Sequence, residues 1–204
     1  MRLAAAVMGV VLLLAGCSAS GAADPAVRIS PTPEGKFRGT TFVTPHPRPH
    51  FTLTDQTGRP YDFGARTRGV PTLLYFGYTH CPDICPTIMA DLATALRQAG
   101  PDVAAKVRVV FVTTDPRRDT PKVLTQWLAN FDAELPAKFT GLTGPQAEID
   151  QAQRSAGVTV AEDSGQTHST QILLYGPDDV ARVFFLEGTS PDDIAHDLPI
   201  VAKG

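Results

Sequence analysis

Cysteine is scarce in this chain: three in 204 residues, at positions 17, 81 and 85. Basic residues are in no excess either. There are 18 Lys and Arg against 21 Asp and Glu, a formal charge of -3 at pH 7, and no Lys/Arg cluster anywhere, which excludes nucleic acid as a partner. No internal repeat is visible, and the one long apolar run, residues 3–15, is too short to cross a membrane comfortably. What remains is 43% hydrophobic and 19% charged, enough for one buried core and therefore one globular domain.

The N-terminal run follows Arg2 and ends in LAGC at residues 14–17, which resembles the lipobox of bacterial lipoproteins. On that reading, residues 1–17 are a signal peptide cut before Cys17, whose thiol carries the lipid. The alternative is an ordinary cleaved signal in which Cys17 is incidental. The lipid reading places the chain on the extracytoplasmic face of the membrane and leaves Cys81 and Cys85 as the only thiols of the mature protein. An oxidising compartment would close them to a disulfide unless something uses them. A bridge over three intervening residues restricts little chain entropy, so a purely structural staple explains the pair poorly.

From residue 18 to about 50 the chain is rich in Ala, Ser, Gly, Thr and Pro, ending in TPHPRPH, and reads as a tether. Residues 37–43 are expected to add an edge strand, so the tether proper is placed at 18–36 and the domain at 37–204. His46 and His50 read as solvated spacers. FTLTD and YDF flank a Gly-containing turn and predict a hairpin extension before the main sheet. PTLLYFGY at 71–78 and VRVVFVT at 107–113 read as strands covered on both faces. Helical spacing follows the cysteines and stops at Gly100-Pro101. Thr120-Pro121 and Ser190-Pro191 are N-cap and N1 pairs opening later helices. A short helix precedes Gly157, and 171–175 with 180–186 form a second hairpin. This order predicts an α/β protein with a thioredoxin-like fold, a central mixed sheet flanked by helices. Ligands in such sheets sit beyond the carboxyl ends of strands, where FGYTHCPDICPT (76–87) lies.

Residues four apart on a helix share a face, with Cβ atoms about 5–6 Å apart, so both thiols are expected to point the same way. Free amide N–H groups at a helix start favour thiolate at both. Pro82 suits the first helical position, and Pro86 predicts a kink with the regular helix starting near 86. Two thiolates at this separation can share a soft ion such as Cu(I) or Zn(II), with imidazole as a third ligand. Of the domain's histidines, His80 reads as a loop residue and His196 as a surface helix residue. His168 stands immediately before the strand expected next to the cysteine-bearing one, where its imidazole would face both sulfurs.

FGYTHCPDICPT, the TTDPRRDTP segment and the late histidine together resemble the Sco/SenC family of copper-binding assembly factors for cytochrome c oxidase. The resemblance implies a membrane-hung thioredoxin-like domain that binds one copper ion, Cu(I) or also Cu(II), through Cys81, Cys85 and His168. It also implies Asp115 as a hydrogen-bond acceptor near the metal. The acidic residue the family often carries before the histidine is Thr167 here. The function implied is a metallochaperone, expected as a monomer, that delivers copper to the copper-site subunit of a respiratory oxidase. The alternative is a thiol-disulfide oxidoreductase, with Cys81 and Cys85 as its redox pair, that keeps the oxidase cysteines reduced.

Overall fold

The computed structural model describes residues 35–203, so the signal peptide, Cys17 and nearly all of the 18–36 tether lie outside the described residues. An eight-stranded mixed sheet runs through the domain in the order β1-β8-β7-β4-β5-β6-β2-β3. Its centre is β4 (Thr72–Gly77), parallel to β5 (Arg108–Thr113) and antiparallel to β7 (Ile172–Tyr175). Next to β5 lies parallel β6 (Thr140–Thr143), followed by the hairpin of β2 (Thr52–Asp55) and β3 (Pro60–Asp62). On the opposite side β8 (Val180–Phe185) pairs with β7, and β1 (Thr40–Pro47) closes that edge.

Alternation along the strands makes two cores. Leu73, Tyr75, Val109 and Phe111 face one side, with α2 (Ile84–Ala99), α4 (Pro121–Asp132) and α6 (Pro191–Ala202) packed over them. Leu74, Phe76, Val110 and Val112 face the other, with α1 (Phe63–Thr67) and α5 (Gln146–Ser155). Every residue of β4 is buried, as a strand covered on both faces requires. The expected caps form: Thr120 and Ser190 accept from the amides of Val123 and Asp193, each followed by Pro at the helix start. Gly100 ends α2, but Pro101 then opens a one-turn helix, α3 (Pro101–Ala104), rather than a plain loop.

The structure corrects the reading of TPHPRPH. Residues 44–47 belong to β1, and Arg48, only 5% exposed, is a core residue of the domain. Its guanidinium donates to Asp179 Oδ1 (2.8 Å), Thr67 Oγ1 (2.9 Å) and the carbonyls of Val70 and Gly176 (3.0 and 2.9 Å). It also lies 5.0 Å from the centroid of the Tyr175 ring. His46 is half-buried and stacks on Phe42 at 5.3 Å, so it is no solvated spacer. Prolines on an edge strand cost little because one side of its ladder has no partner, which is how a Pro-rich run passes for a linker while pairing with β8.

Arg48 therefore ties the first strand to two other segments, residues 67–70 and 175–179. Arg48→Ala should lower the unfolding free energy by about 3 kcal/mol in urea, because a buried guanidinium and its four hydrogen bonds are removed. Arg38→Ala, which removes an exposed ion pair with Asp193, should cost less than about 1 kcal/mol. Equal small losses would mean that the segment before residue 50 contributes nothing to the domain.

Candidate metal centre

The cysteines follow the carboxyl end of β4. Gly77 is the last strand residue, and a Cβ there would stand 3.0 Å from both Cys85 Sγ and the Tyr75 ring, so a side chain would crowd the sulfur. The Cys81 amide donates to the Tyr78 carbonyl at 3.3 Å, which folds the loop into a turn. Helix α2 then starts at Ile84, two residues earlier than the prolines suggest. Pro82 lies in the bend before the helix, and Pro86 is its third residue, where the missing N–H would have had no intrahelical partner. No kink is needed, and Cys85 falls in the first helical turn with Cys81 in the loop before it.

The two thiols differ sharply. Cys85 is fully buried, accepts a hydrogen bond from the Tyr75 hydroxyl at 3.4 Å, and stands 3.5 Å from His168 Nε2. Burial pushes its thiol up to about 12. Cys81 is half-buried, and its sulfur accepts from the Cys85 amide at 3.4 Å. Burial raises its pKa, but hydrogen bonds from the Cys85 and Asp83 amides outweigh burial and the net shift is downward. The pKa is thus lowered at Cys81 alone, which corrects the expectation of two equivalent thiolates.

His168 is placed by the loop leading into β7, whose pairing with β4 sets it across from the cysteines. Its Nδ1 lies 2.9 Å from the Ser169 carbonyl, which can only accept, so Nδ1 carries the proton and Nε2 presents its lone pair toward Cys85. Burial lowers its pKa and outweighs the bond to Ser169, which acts the other way. The ring packs edge-on against Tyr78 and Tyr75, with centroids 5.6 and 6.1 Å away. An open cleft of about 580 Å³ runs beside it, between residues 159–162 and 167–171.

A buried carboxylate holds the cysteine loop. Asp119, fully buried, accepts from the Thr79 amide (2.8 Å), the Thr79 hydroxyl (2.6 Å) and the Thr113 hydroxyl (2.6 Å), with His80 Nδ1 at 3.3 Å. Sequence reasoning missed it; the signal available was the second aspartate of DPRRD, two residues before a helix-opening proline. Asp115, by contrast, pairs with Arg118, and its amide donates to Thr113 Oγ1. Among the described residues it makes no hydrogen bond to Cys81, Cys85 or His168. His80 turns toward Asp119, and His196 Nδ1 stands 2.8 Å from Asp197 on α6, so neither joins the thiols.

Among the described residues, no three His, Cys, Asp or Glu side chains are already arranged to hold a metal ion. The approach is pairwise, and the pairs have the right chemistry. A sulfur and a nitrogen bound to one ion at about 2.3 and 2.1 Å stand about 3.6 Å apart at a tetrahedral angle, close to the 3.5 Å between Cys85 and His168. Cys81, half-buried in the loop before the helix, holds its sulfur on the Cys85 amide, beside the same helical turn.

Comparison with known proteins agrees with this geometry. Residues 41–203 match the SCO1/SenC family. The bovine mitochondrial SCO2 homologue is 36% identical over 157 residues, which cover 72% of this chain and 57% of that protein, so the chain spans little more than half the length of that relative. Copper-bound ScoI from Bradyrhizobium japonicum superposes with a TM-score of 0.63 at 36% identity, over 76% of this chain and 98% of that one. BsSco, described as having a disulfide switch and as a member of the Sco family of cytochrome c oxidase assembly proteins, superposes with a TM-score of 0.61 at 25% identity, over 76% of this chain and 92% of that one. The chain belongs to the SCO1/SenC family. Sco proteins are copper-binding proteins involved in cytochrome c oxidase assembly, and they share the thioredoxin-like fold described above.

The asymmetry of the thiols is directly measurable. Iodoacetamide at neutral pH should alkylate Cys81 of the reduced protein while Cys85 stays unmodified, and lowering the pH should slow Cys81 only below the range of an ordinary thiol. Peptide mass mapping reads both sites. Equal labelling of the two would contradict the burial and hydrogen bonding assigned to them.

Proposed function

We propose that this SCO1/SenC protein binds one copper ion through Cys81, Cys85 and His168 and hands it to the binuclear copper site of a respiratory oxidase. It works at the extracytoplasmic face of the membrane, held there by a lipid on Cys17. The observation that carries the reading is the 3.5 Å approach of His168 Nε2 to Cys85 Sγ, with Cys81 Sγ on the amide of the same helical turn. Two soft sulfurs and a neutral imidazole make a three-coordinate site for Cu(I) and can also hold Cu(II). Copper is the cargo, so a coordination position must stay open for the acceptor. The half-exposed Cys81 side supplies that opening, and Cys85 lies fully behind it. Binding displaces a proton from Cys85, whose thiol is held up at about 12, so apparent affinity rises with pH.

A second reading, thiol-disulfide exchange, is favoured by the same asymmetry. The Cys81 thiolate attacks a partner disulfide, forming a mixed disulfide and releasing one partner thiolate. Cys85, on losing its proton, then attacks Cys81 Sγ, which leaves a Cys81–Cys85 disulfide and a fully reduced partner. Exchange of this kind leaves the partner's thiols reduced and ready for copper but oxidises this chain's own pair, so the two readings are compatible in sequence only when a thiol reductant restores Cys81 and Cys85 before copper is loaded.

Anaerobic titration of the reduced protein with Cu(I), run beside Zn(II), should give one copper per chain, and Cys81→Ser or Cys85→Ser should each abolish tight binding. His168→Ala should weaken Cu(II) more than Cu(I), lower oxidase assembly, and change disulfide reduction only modestly. If His168→Ala leaves copper affinity and oxidase assembly intact while either serine variant destroys assembly, the exchange reading takes precedence.

Location is tested separately. Cys17→Ser should release the protein from membranes or leave its precursor unprocessed, read by fractionation and intact mass. A wild-type protein without lipid mass that fractionates as soluble would rule out the anchor.

A further inference from the structure

His168 sits in a loop and not in the sheet, because β7 begins only at Ile172. Something else must set its distance from the cysteines. The residues before it form a tight hairpin, closed where the Glu162 amide donates to the Thr167 carbonyl at 2.8 Å and the Thr167 amide returns a bond at 3.3 Å. The tip is a single 3-10 turn, Asp163–Gly165. At that tip Gly165 has φ +90, and a Cβ would stand 2.0 Å from the Thr114 carbonyl oxygen and 2.5 Å from its carbon. Backbone cannot yield at such distances, so only glycine allows the hairpin to lie this close.

Thr114 is fully buried and bonds in both directions. Its hydroxyl donates to the Gly165 carbonyl at 2.7 Å, and its amide donates to the Gly77 carbonyl at 2.7 Å. Gly77 is the strand end that leads into the cysteine loop, and Gly165 is the turn that leads into His168. One residue therefore spans the two halves of the centre, which are otherwise separated by 83 positions between Cys85 and His168.

We propose that the Thr114–Gly165 contact positions His168, setting the sulfur-to-imidazole spacing on which copper retention depends; this rests on the ligand role given to His168 above. Neither residue touches the ion. Their effect is transmitted through the imidazole, so it vanishes when the imidazole is removed. A mere loop anchor would instead lower stability and leave copper binding and its coupling to His168 unchanged.

The test uses the full mature chain. In the reduced, metal-free protein the His168 ring protons carry ring-current shifts from Tyr78 and Tyr75, which NMR reads without copper. Gly165→Ala and Thr114→Val should both move these shifts toward those of an exposed histidine, while Thr114→Ser, which keeps the hydroxyl, should leave them in place. With Cu(II) as the probe, Gly165→Ala should weaken binding by about 10- to 100-fold, the range typical of losing an outer support of a metal ligand. The Gly165→Ala/His168→Ala double variant should then bind no more weakly than His168→Ala alone. Unmoved ring shifts in both Gly165→Ala and Thr114→Val, or Cu(II) losses that add in full, would overturn the proposal. If His168→Ala binds Cu(II) like the wild type, the ligand assignment fails, and the metal-free ring shifts still decide whether the contact positions the ring.

Discussion

Everything at the candidate centre depends on one constraint: a sulfur has to be buried where a fully covered strand gives way to a helix. Such a position is apolar, and burying a thiol there without a partner disfavours its charged form. The chain meets the requirement with Tyr75, whose hydroxyl bonds Cys85 from within the core, and with Gly77, whose missing side chain makes the space. The parallel pairing of β4 with β5 then brings Thr113, Thr114 and the loop through Asp119 alongside. From there Asp119 pins Thr79 on one side of the cysteines, and Thr114 reaches Gly165 on the other. The centre is a seam between three connections, held at its middle by the strand that carries no ligand.

Much of this was legible in the sequence, and the legible parts share a cause. Strands β4 and β5 are continuous apolar runs, and α4 and α6 announce themselves through Thr120-Pro121 and Ser190-Pro191. In each case the signal is local, carried by burial on both faces or by a cap and its proline. Placing His168 opposite the cysteines needed one step more, the inference that its strand pairs with β4. That inference worked because consecutive elements in such sheets leave few places for a late hairpin.

What escaped the sequence is set by contacts between distant residues. Strand β6 is four residues, TGLT, whose Gly141 lets Leu124 and Leu128 of α4 pack directly on the backbone. Nothing in four such residues distinguishes a strand from a loop. The Pro-rich start of the domain read as a tether because Arg48 earns its burial from Thr67, Val70, Gly176 and Asp179, none of which is near it in the chain. Asp119 is 40 residues from Thr79, so its hold on the cysteine loop leaves no periodic trace. The inequality of the thiols is of the same kind. Spacing alone makes Cys81 and Cys85 equivalent, whereas Tyr75, the helix amides and burial divide them.

That division bears on how one site would serve both proposed chemistries. Copper hand-off needs a ligand that lets go while others hold, and disulfide exchange needs a thiolate that attacks while another waits. Cys81 meets both first requirements, since it is half-exposed, tends to thiolate, and belongs to a loop held mainly through Thr79 and His80. Cys85 meets both second requirements, since it is buried, protonated at neutral pH, and flanked by Tyr75 and His168. A symmetric pair of exposed thiolates would bind copper, but neither sulfur would be the one to leave. A symmetric buried pair would keep the ion and never meet an acceptor. On the proposed reading, the unequal environment is what makes a two-cysteine turn a carrier rather than a store, and exchange chemistry follows from the same inequality with no residue added.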